Sequence, residues 1–334
     1  MNDKKEYNSL LDKLLKYDTD GVIINELVNQ NFVDLMNITN FVIDSNKFEY
    51  IYFIAKYVRS SDIEKLENKV IEIENIEEIY TFLKGVNGIS FDKFEDAIIE
   101  IKNSKYIYMI AKEIPGADIR KLEDAILKTE DGNYINSFVK NIVGSSDICK
   151  FGNKLIELED AKNITDFAIY FKENINESFA LRLSDALVKI GDCECLVKFI
   201  HFGPNCMKEK IIDRILEKGN ASQIFSIVTM ANEYNDLEKF TNAIINTKDP
   251  FCIYHFYSWN CFLFDDSLTN KLELSLKELG DERYLEYFSE LKNNINIKKE
   301  EKVNDENNEE KRLKETDENN KVKVRGLKKY FKKK

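Results

Sequence analysis

The chain has 334 residues, 43% of them hydrophobic and 33% charged, and a formal net charge of −11. That length supports one large core or a long stack of small ones. Only three prolines and twelve glycines argue against a β-sandwich or a turn-rich α/β enzyme and point to helices.

The opening "MNDKKEYNSLLDKLLKYDTDG" is charged throughout and lacks an apolar stretch with a small-residue cleavage site, so no signal peptide is read there. Within residues 1–45, "EYNSLLDKLLKYD" is expected as an N-terminal helical cap and "GVIINELVNQNFVDLMNITNFVID" as a degenerate repeat.

From residue 46 the chain repeats itself. "EYIYFIAKYVRSSDIEKLENKV" (Glu49–Val70) and "KYIYMIAKEIPGADIRKLEDAI" (Lys105–Ile126) lie 56 residues apart, with "EIYTFLKGVNGISFDKFEDAII" (Glu78–Ile99) between them, so the unit is 28 residues. In that register a small polar residue recurs at Asn75, Asn103, Asp131, Asp160, Asp192, Asn220, Asp249 and Asp281. Four residues on come Ile79, Ile107, Ile135, Ile164, Leu196, Ile224, Ile253 and Leu285. Seven on come Phe82, Ile110, Phe138, Phe167, Phe199, Ile227, Phe256 and Phe288.

Asn and Asp are preferred helix N-caps, and apolar residues at +4 and +7 form one buried stripe. A second helix follows in each unit, with Asp62, Ser90, Asp118 and Asp147 as its expected N-caps. Gly191, Gly219 and Gly280 are expected as its left-handed C-terminal caps. Each unit is thus an αα-hairpin whose short helices need stacking to be stable. The cap spacing lengthens to 32 residues around "KENINESF" and "SWNCFLFDDS", where a longer inter-helix loop is expected. "ERYLEYFSELKNN" supplies a last helix from about Glu282 to Asn293.

The expected fold class is therefore all-α: an α-solenoid of about nine αα-hairpin repeats over residues 46–294, followed over 295–334 by a charged tail too polar to fold. Residues 295–334 hold 14 basic and 9 acidic side chains, a net of +5, which leaves about −16 on the helical body.

The phrase "YIYxIAK…GADIxKLEDAI", clearest at Tyr106–Ile126, resembles the helical-repeat proteins, the α-solenoids that include HEAT, armadillo and tetratricopeptide arrays. It also resembles short αα-repeat proteins of AT-rich bacteria and their mobile elements. The resemblance covers roughly residues 45–290 and implies a binding scaffold. A 28-residue unit is shorter than the named repeats, so no ligand-binding residues carry over.

Three features are candidates for function. Tyr52, Tyr80 and Tyr108 form one column, and Lys56, Lys84, Lys112 and Lys140 another four residues later; together they would suit an acidic or phosphate-bearing partner. The plainer alternative has the lysines covering apolar surface and pairing with acidic residues of neighbouring repeats such as Glu67, Glu95 and Glu123. A body charge near −16 disfavours polyanions. In "PFCIYHFYSWNCFLF", core register explains Ile253, Phe256 and Tyr257. It leaves Tyr254, His255, Trp259, Phe262 and Phe264 either as a protein-binding hot spot or as filling for a long loop. The segment Lys321–Lys334, with Arg325, Lys328, Lys329, Tyr330, Phe331, Lys332, Lys333 and Lys334, carries eight positive charges and no negative one. It would contact nucleic acid or an anionic membrane, fold back on the acidic body, or serve as a solubilising end.

Chemistry is not expected. Two histidines, no Walker loop, no nucleophile elbow and no HExxH leave no catalytic constellation. The cysteines at Cys193, Cys195 and Cys206 with His201 fit no zinc spacing, and the six thiols are read as reduced. Neither a metal, a cofactor nor a small-molecule substrate is expected. The leading expectation is a cytoplasmic, non-enzymatic scaffold for a partner protein, with tethering through the basic tail as the alternative.

Overall fold

The structure is a computed structural model that describes residues 4–58, 61–142, 147–234 and 236–298, the side chains of residues 232 and 233 excepted. Among these residues all regular structure is helical, and no helix is long and apolar enough to cross a membrane. The chain divides into two compact units, Met1–Ile190 with Phe202–Pro204, and Gly191–His201 with Asn205–Lys334.

The first unit begins with α1 (Lys4–Tyr17). Six hairpins follow: α2 (Val22–Asn29) with α3 (Leu35–Ser45), α4 (Phe48–Tyr57) with α5 (Ile63–Glu72), α6 (Ile76–Gly85) with α7 (Phe91–Ile101), α8 (Ser104–Glu113) with α9 (Ile119–Ile126), α10 (Gly132–Asn141) with α11 (Ile148–Glu157), and α12 (Ala161–Tyr170) with α13 (Glu177–Ile190). The even-numbered helices pack on one another in sequence, α2 on α4 and so on to α12. The odd-numbered ones form the second layer, with contacts such as α1 on α3, α3 on α5 and α11 on α13. A helix of 8 to 14 residues buries one stripe within its hairpin and more against the next repeat, which is what makes it stable.

The second unit holds α14 (Cys193–Phe202, all but its last residue), α15 (Lys208–Lys218), α16 (Ala221–Ser226) continued by a 3-10 helix (Val228–Glu233), α17 (Leu237–Asn246), α18 (Pro250–Asn260) and α19 (Asp266–Leu279). A last helix, α20, covers residues 282–298. It outruns the expected end near Asn293 because Ile295 is buried. Nine hairpins thus lie among the described residues.

The recurring caps work as their chemistry requires. Asn75, Asn103, Asp131, Asp160, Asp192, Asn220, Asp249 and Asp281 all accept hydrogen bonds from backbone amides of the helix that each precedes. The residue before the cap commonly has positive φ: Asn46, Glu74, Lys102, Glu159, Gly191, Lys248 and Gly280. One left-handed residue ends a hairpin and lets the next begin at once. Gly219 is an exception to the expectation: its φ of −70° is extended, so it ends α15 without the left-handed turn. Ser90 is another, since its side chain caps nothing.

The two 32-residue intervals are spent differently from the expected loop growth. Five or six residues link α12 to α13 and α18 to α19, much as elsewhere, while α13 and α19 reach 14 residues. Four extra residues make about one helical turn, which lengthens a helix without rotating its buried face.

The core follows the +4 and +7 columns: every +7 residue is 0% exposed, and the +4 residues from Ile79 to Ile253 are buried, with Leu285 in α20 half-exposed. Rings at +7 meet rings of the second layer, Phe82 on Phe94 with centroids 5.5 Å apart and Phe138 on Phe151 at 5.9 Å.

Candidate functional site

In the first unit the Tyr and Lys columns occupy the outward side of the even-numbered helices, and their polar groups are largely engaged. Tyr80 donates its hydroxyl to Glu113 Oε2 (2.7 Å) in the next repeat, and Lys84 Nζ reaches the same oxygen at 2.6 Å. The lysine beside Glu113 holds that carboxyl below its ordinary value, and burial pushes the Tyr80 phenol up. Lys56 lies 5.1 Å from the Tyr52 ring centroid, and Lys112 lies 5.5 Å from that of Tyr108. Tyr52 lies over Gly85, where a Cβ would fall 2.1 Å from its hydroxyl. Lys140 is half-buried beside the Tyr170 ring, and burial draws its ammonium down. This column couples repeat to repeat.

The acidic residues suggested as partners of those lysines do something else. Glu67, Glu95 and Glu123 are 3%, 2% and 5% exposed and lie in the second layer, on α5, α7 and α9. Glu67 Oε1 accepts from the Ser90 amide (2.7 Å) and Glu95 Oε1 from the Asp118 amide (2.8 Å), so each carboxylate receives the amide of the N-cap residue that precedes the next second-layer helix. Lys121 and Lys150, also on second-layer helices, approach Glu95 and Glu123 at 4.0 and 3.8 Å. The ladder is thus an inter-repeat cap, and Ser90 contributes its amide to it.

The second unit presents a different outward surface. The inward side of α18 is Cys252, Ile253, Phe256, Tyr257 and Asn260, all buried. Phe264, after the turn, is buried against Phe256 and Tyr257, so it fills core. The outward side is Phe251, Tyr254, His255 and Trp259, the last being the only tryptophan in the chain.

These rings form an unbroken belt across three helices. Phe225 of α16 lies 5.2 Å from Phe251 and 5.1 Å from Trp259. His255 lies 4.3 Å from Phe251 and 5.0 Å from Tyr254. Tyr254 meets Tyr284 and Tyr287 of α20 at 5.8 and 5.9 Å. Trp259, Tyr287 and Phe251 are 51%, 49% and 41% exposed; at 150–250 Å² per aromatic side chain they alone place on the order of 300 Å² of ring surface in solvent. Phe262 is exposed in the turn after α18 and makes none of the belt's ring contacts.

Sequence reading found Tyr254, His255 and Trp259 but missed Phe225, Phe251, Tyr284 and Tyr287. The signal was present: Phe225 and Tyr254 stand five residues after their caps, in the column of Tyr52, Tyr80 and Tyr108. The basic segment with Arg325, Lys328, Lys329, Tyr330, Phe331, Lys332, Lys333 and Lys334 lies outside the described residues, and its suggested contact with nucleic acid or membrane rests on sequence.

Among the described residues no group of three or more His, Cys, Asp or Glu is placed to hold a metal. Cys252 is buried and lies 3.3 Å from Asp249 Oδ2; burial, with that carboxylate as acceptor, pushes its thiol up to about 12.

No protein-family model matches the chain, and neither does any curated protein. Among solved structures it is similar to a "Circular tandem repeat protein with novel repeat topology and enhanced subunit contact surfaces", at 11% identity and a TM-score of 0.12. The similarity covers 86% of this chain and 62% of that one, so the chain spans less than two thirds of that protein's length. So loose a likeness carries no weight for fold or function; the fold rests on the helices described above.

Proposed function

We propose that this protein is a non-enzymatic scaffold that binds another polypeptide through the aromatic belt of its second unit. The observation that supports this is the belt itself: rings in mutual contact on α16, α18 and α20, three of them about half exposed, beyond what the core of that unit uses. Aromatic side chains are the commonest anchors of protein interfaces because they bury much area at little cost in rotamer entropy. An apolar patch on the order of 300 Å² is the size of the largest patch on an ordinary monomer, and such patches are often functional.

The test compares the 334-residue chain with a Phe251→Ser, Trp259→Ser variant in crosslinking from native lysate, identified by mass spectrometry. Both rings are about half exposed but also pack on Phe225 and His255, so the variant should unfold at a somewhat lower temperature, and capture is compared where circular dichroism shows both chains folded. A partner captured by the parent and lost with the variant is the expected result. Equal capture by both, or no specific capture by either, would overturn the reading.

A further inference from the structure

We propose that in the absence of a partner the chain's own basic segment, Lys321–Lys334, docks on the aromatic belt. This rests on the belt being a docking surface, and it names the chemistry the surface takes: a cationic peptide with its own apolar side chains.

The first reason is a difference between the two units in one register position. In four repeats of the first unit the residue nine after the cap position is lysine: Lys56, Lys84, Lys112 and Lys140. Each of these ammonium groups lies within 5.1 to 5.6 Å of a tyrosine ring centroid on the same outward side, at Tyr52, Tyr80, Tyr108 and Tyr170 respectively. A cation held over a ring in this way is attracted by the ring's negative face. In the belt's three repeats the same position holds Thr229, Ser258 and Glu290. The rings are kept and multiplied, while the cation of that register position is gone. Among the described residues Arg283, 5.7 Å from the Tyr284 centroid, is the one cation over a belt ring, and the faces of Phe225, Phe251, Tyr254, Trp259 and Tyr287 carry none.

The second reason is charge. Glu282, Glu286 and Glu290 are exposed on α20, the helix that carries Tyr284 and Tyr287, and none has an ion-pair partner among the described residues. Glu290 stands three residues from Tyr287, on the same side of the helix. Lys321–Lys334 brings eight positive charges and no negative one, with Leu327, Tyr330 and Phe331 among them. Its lysines and Arg325 suit ring faces and carboxylates together, and its apolar residues suit the uncovered ring surface.

The third reason is where the chain leaves the structure. The described residues end at 298 in α20, and 22 residues separate that point from Lys321. From 298 back to Tyr287 is 11 helical residues, about 17 Å at 1.5 Å each. One further inter-helix spacing of about 10 Å reaches α18 and Trp259, and a second reaches Phe225 of α16. A 22-residue tether extends to about 70 Å at most, so the segment reaches the whole belt from its own α20. Tethering then raises its local concentration to the millimolar range, and a partner must displace it.

Trp259 is the only tryptophan and sits in the belt, so its fluorescence reads the cover directly. Acrylamide quenching and emission maximum are measured for the 334-residue chain and for a variant with Lys328, Lys329, Lys332 and Lys333→Glu and Tyr330 and Phe331→Ser. The parent should show a quenching constant roughly twofold below the variant's, since about half of Trp259 is open when uncovered. That protection should vanish between about 0.05 and 0.5 M NaCl, where charge attraction is screened. It should also be independent of protein concentration, and a synthetic Lys321–Lys334 peptide added to the variant should restore it.

Equal quenching of parent and variant at every salt concentration overturns the proposal. Protection that grows with protein concentration overturns it too, because a second copy would then be the occupant. If the free peptide protects the variant while parent and variant are equally quenched, the belt still takes basic segments and only docking within one chain is lost. The scaffold reading falls separately, by the Phe251→Ser, Trp259→Ser capture experiment.

Discussion

Glu67 and Glu95 show how one buried carboxylate can join two repeats. Each takes the amide of the N-cap residue before the next second-layer helix through a partly buried hydrogen bond, and truncating a buried carboxylate that accepts such a bond costs about 1–3 kcal/mol. Glu67→Ala and Glu95→Ala should therefore each lower stability by about 1–3 kcal/mol in urea unfolding followed by circular dichroism; a loss within error for both would show that the ladder is ornamental. Glu95 adds a pH signature. Burial raises its carboxyl above the ordinary value, against the opposing pull of the Asp118 amide and Lys121. The folded state then binds the proton more tightly than the unfolded one, so this residue's contribution falls as pH rises through the raised value. Glu95→Gln keeps an oxygen for the Asp118 amide and removes the charge. Its stability relative to the parent should improve from about pH 4.3 toward neutrality, and a pH-independent difference would contradict the burial of a charge. The column Glu67, Glu95, Glu123 was legible in the sequence, but its partner was not: a backbone amide 23 residues away leaves no mark in side-chain pattern.

At the scale of the element, the ladder stops where neighbouring helices change. Gly152 of α11 stands five residues after Asp147, where the earlier repeats have their glutamate, and a Cβ there would lie 2.6 Å from the Phe179 ring of α13. A ring has replaced the carboxylate and amide, so glycine is required for closeness of approach. Gly132, the first residue of α10, is similarly constrained: a Cβ would fall 2.3 Å from Asp160 Oδ2, the side chain that caps α12 and also binds Asn163 Nδ2 at 2.8 Å. Alanine for glycine within a helix ordinarily stabilises by roughly 0.5–1 kcal/mol. Here Gly132→Ala and Gly152→Ala should both destabilise, Gly152→Ala by about 1–3 kcal/mol because the ring it meets is in the core, as measured by thermal unfolding. A rise in melting temperature for Gly152→Ala would contradict the packing. The helices and nearly all their caps were legible beforehand, since an Asn or Asp followed by apolar residues at +4 and +7 is a local signal. The lengthening of α13 and α19 was not, because the same added residues can be spent on a loop or on one more helical turn, and only the packing partner decides.

At the scale of the whole molecule, the described hairpins within each unit pack on their neighbours in sequence, so cooperativity runs along the chain. The two compact units and the placement of the only tryptophan in the second of them give this a direct readout. In urea, Trp259 fluorescence should report the second unit while circular dichroism averages both, and the two curves should not superimpose; coincident curves would mean a single cooperative body. The sequence by itself determined the all-helical hairpin repeat, its 28-residue register, the caps and the core columns, because short helices in series must each carry their own start signal and buried stripe. It also left Tyr254, His255, Trp259, Phe262 and Phe264 outside the core register, as a binding surface or as loop filling. Only the tertiary structure decided which outward residues meet. It drew Phe225, Phe251, Tyr284 and Tyr287 into one belt with Tyr254, His255 and Trp259, and it tied Tyr52, Tyr80, Lys84 and Lys140 of the first unit's columns to the next repeat. Those contacts join side chains about 30 residues apart in the chain, and their chemistry depends on the distance between neighbouring helices, which no periodicity encodes.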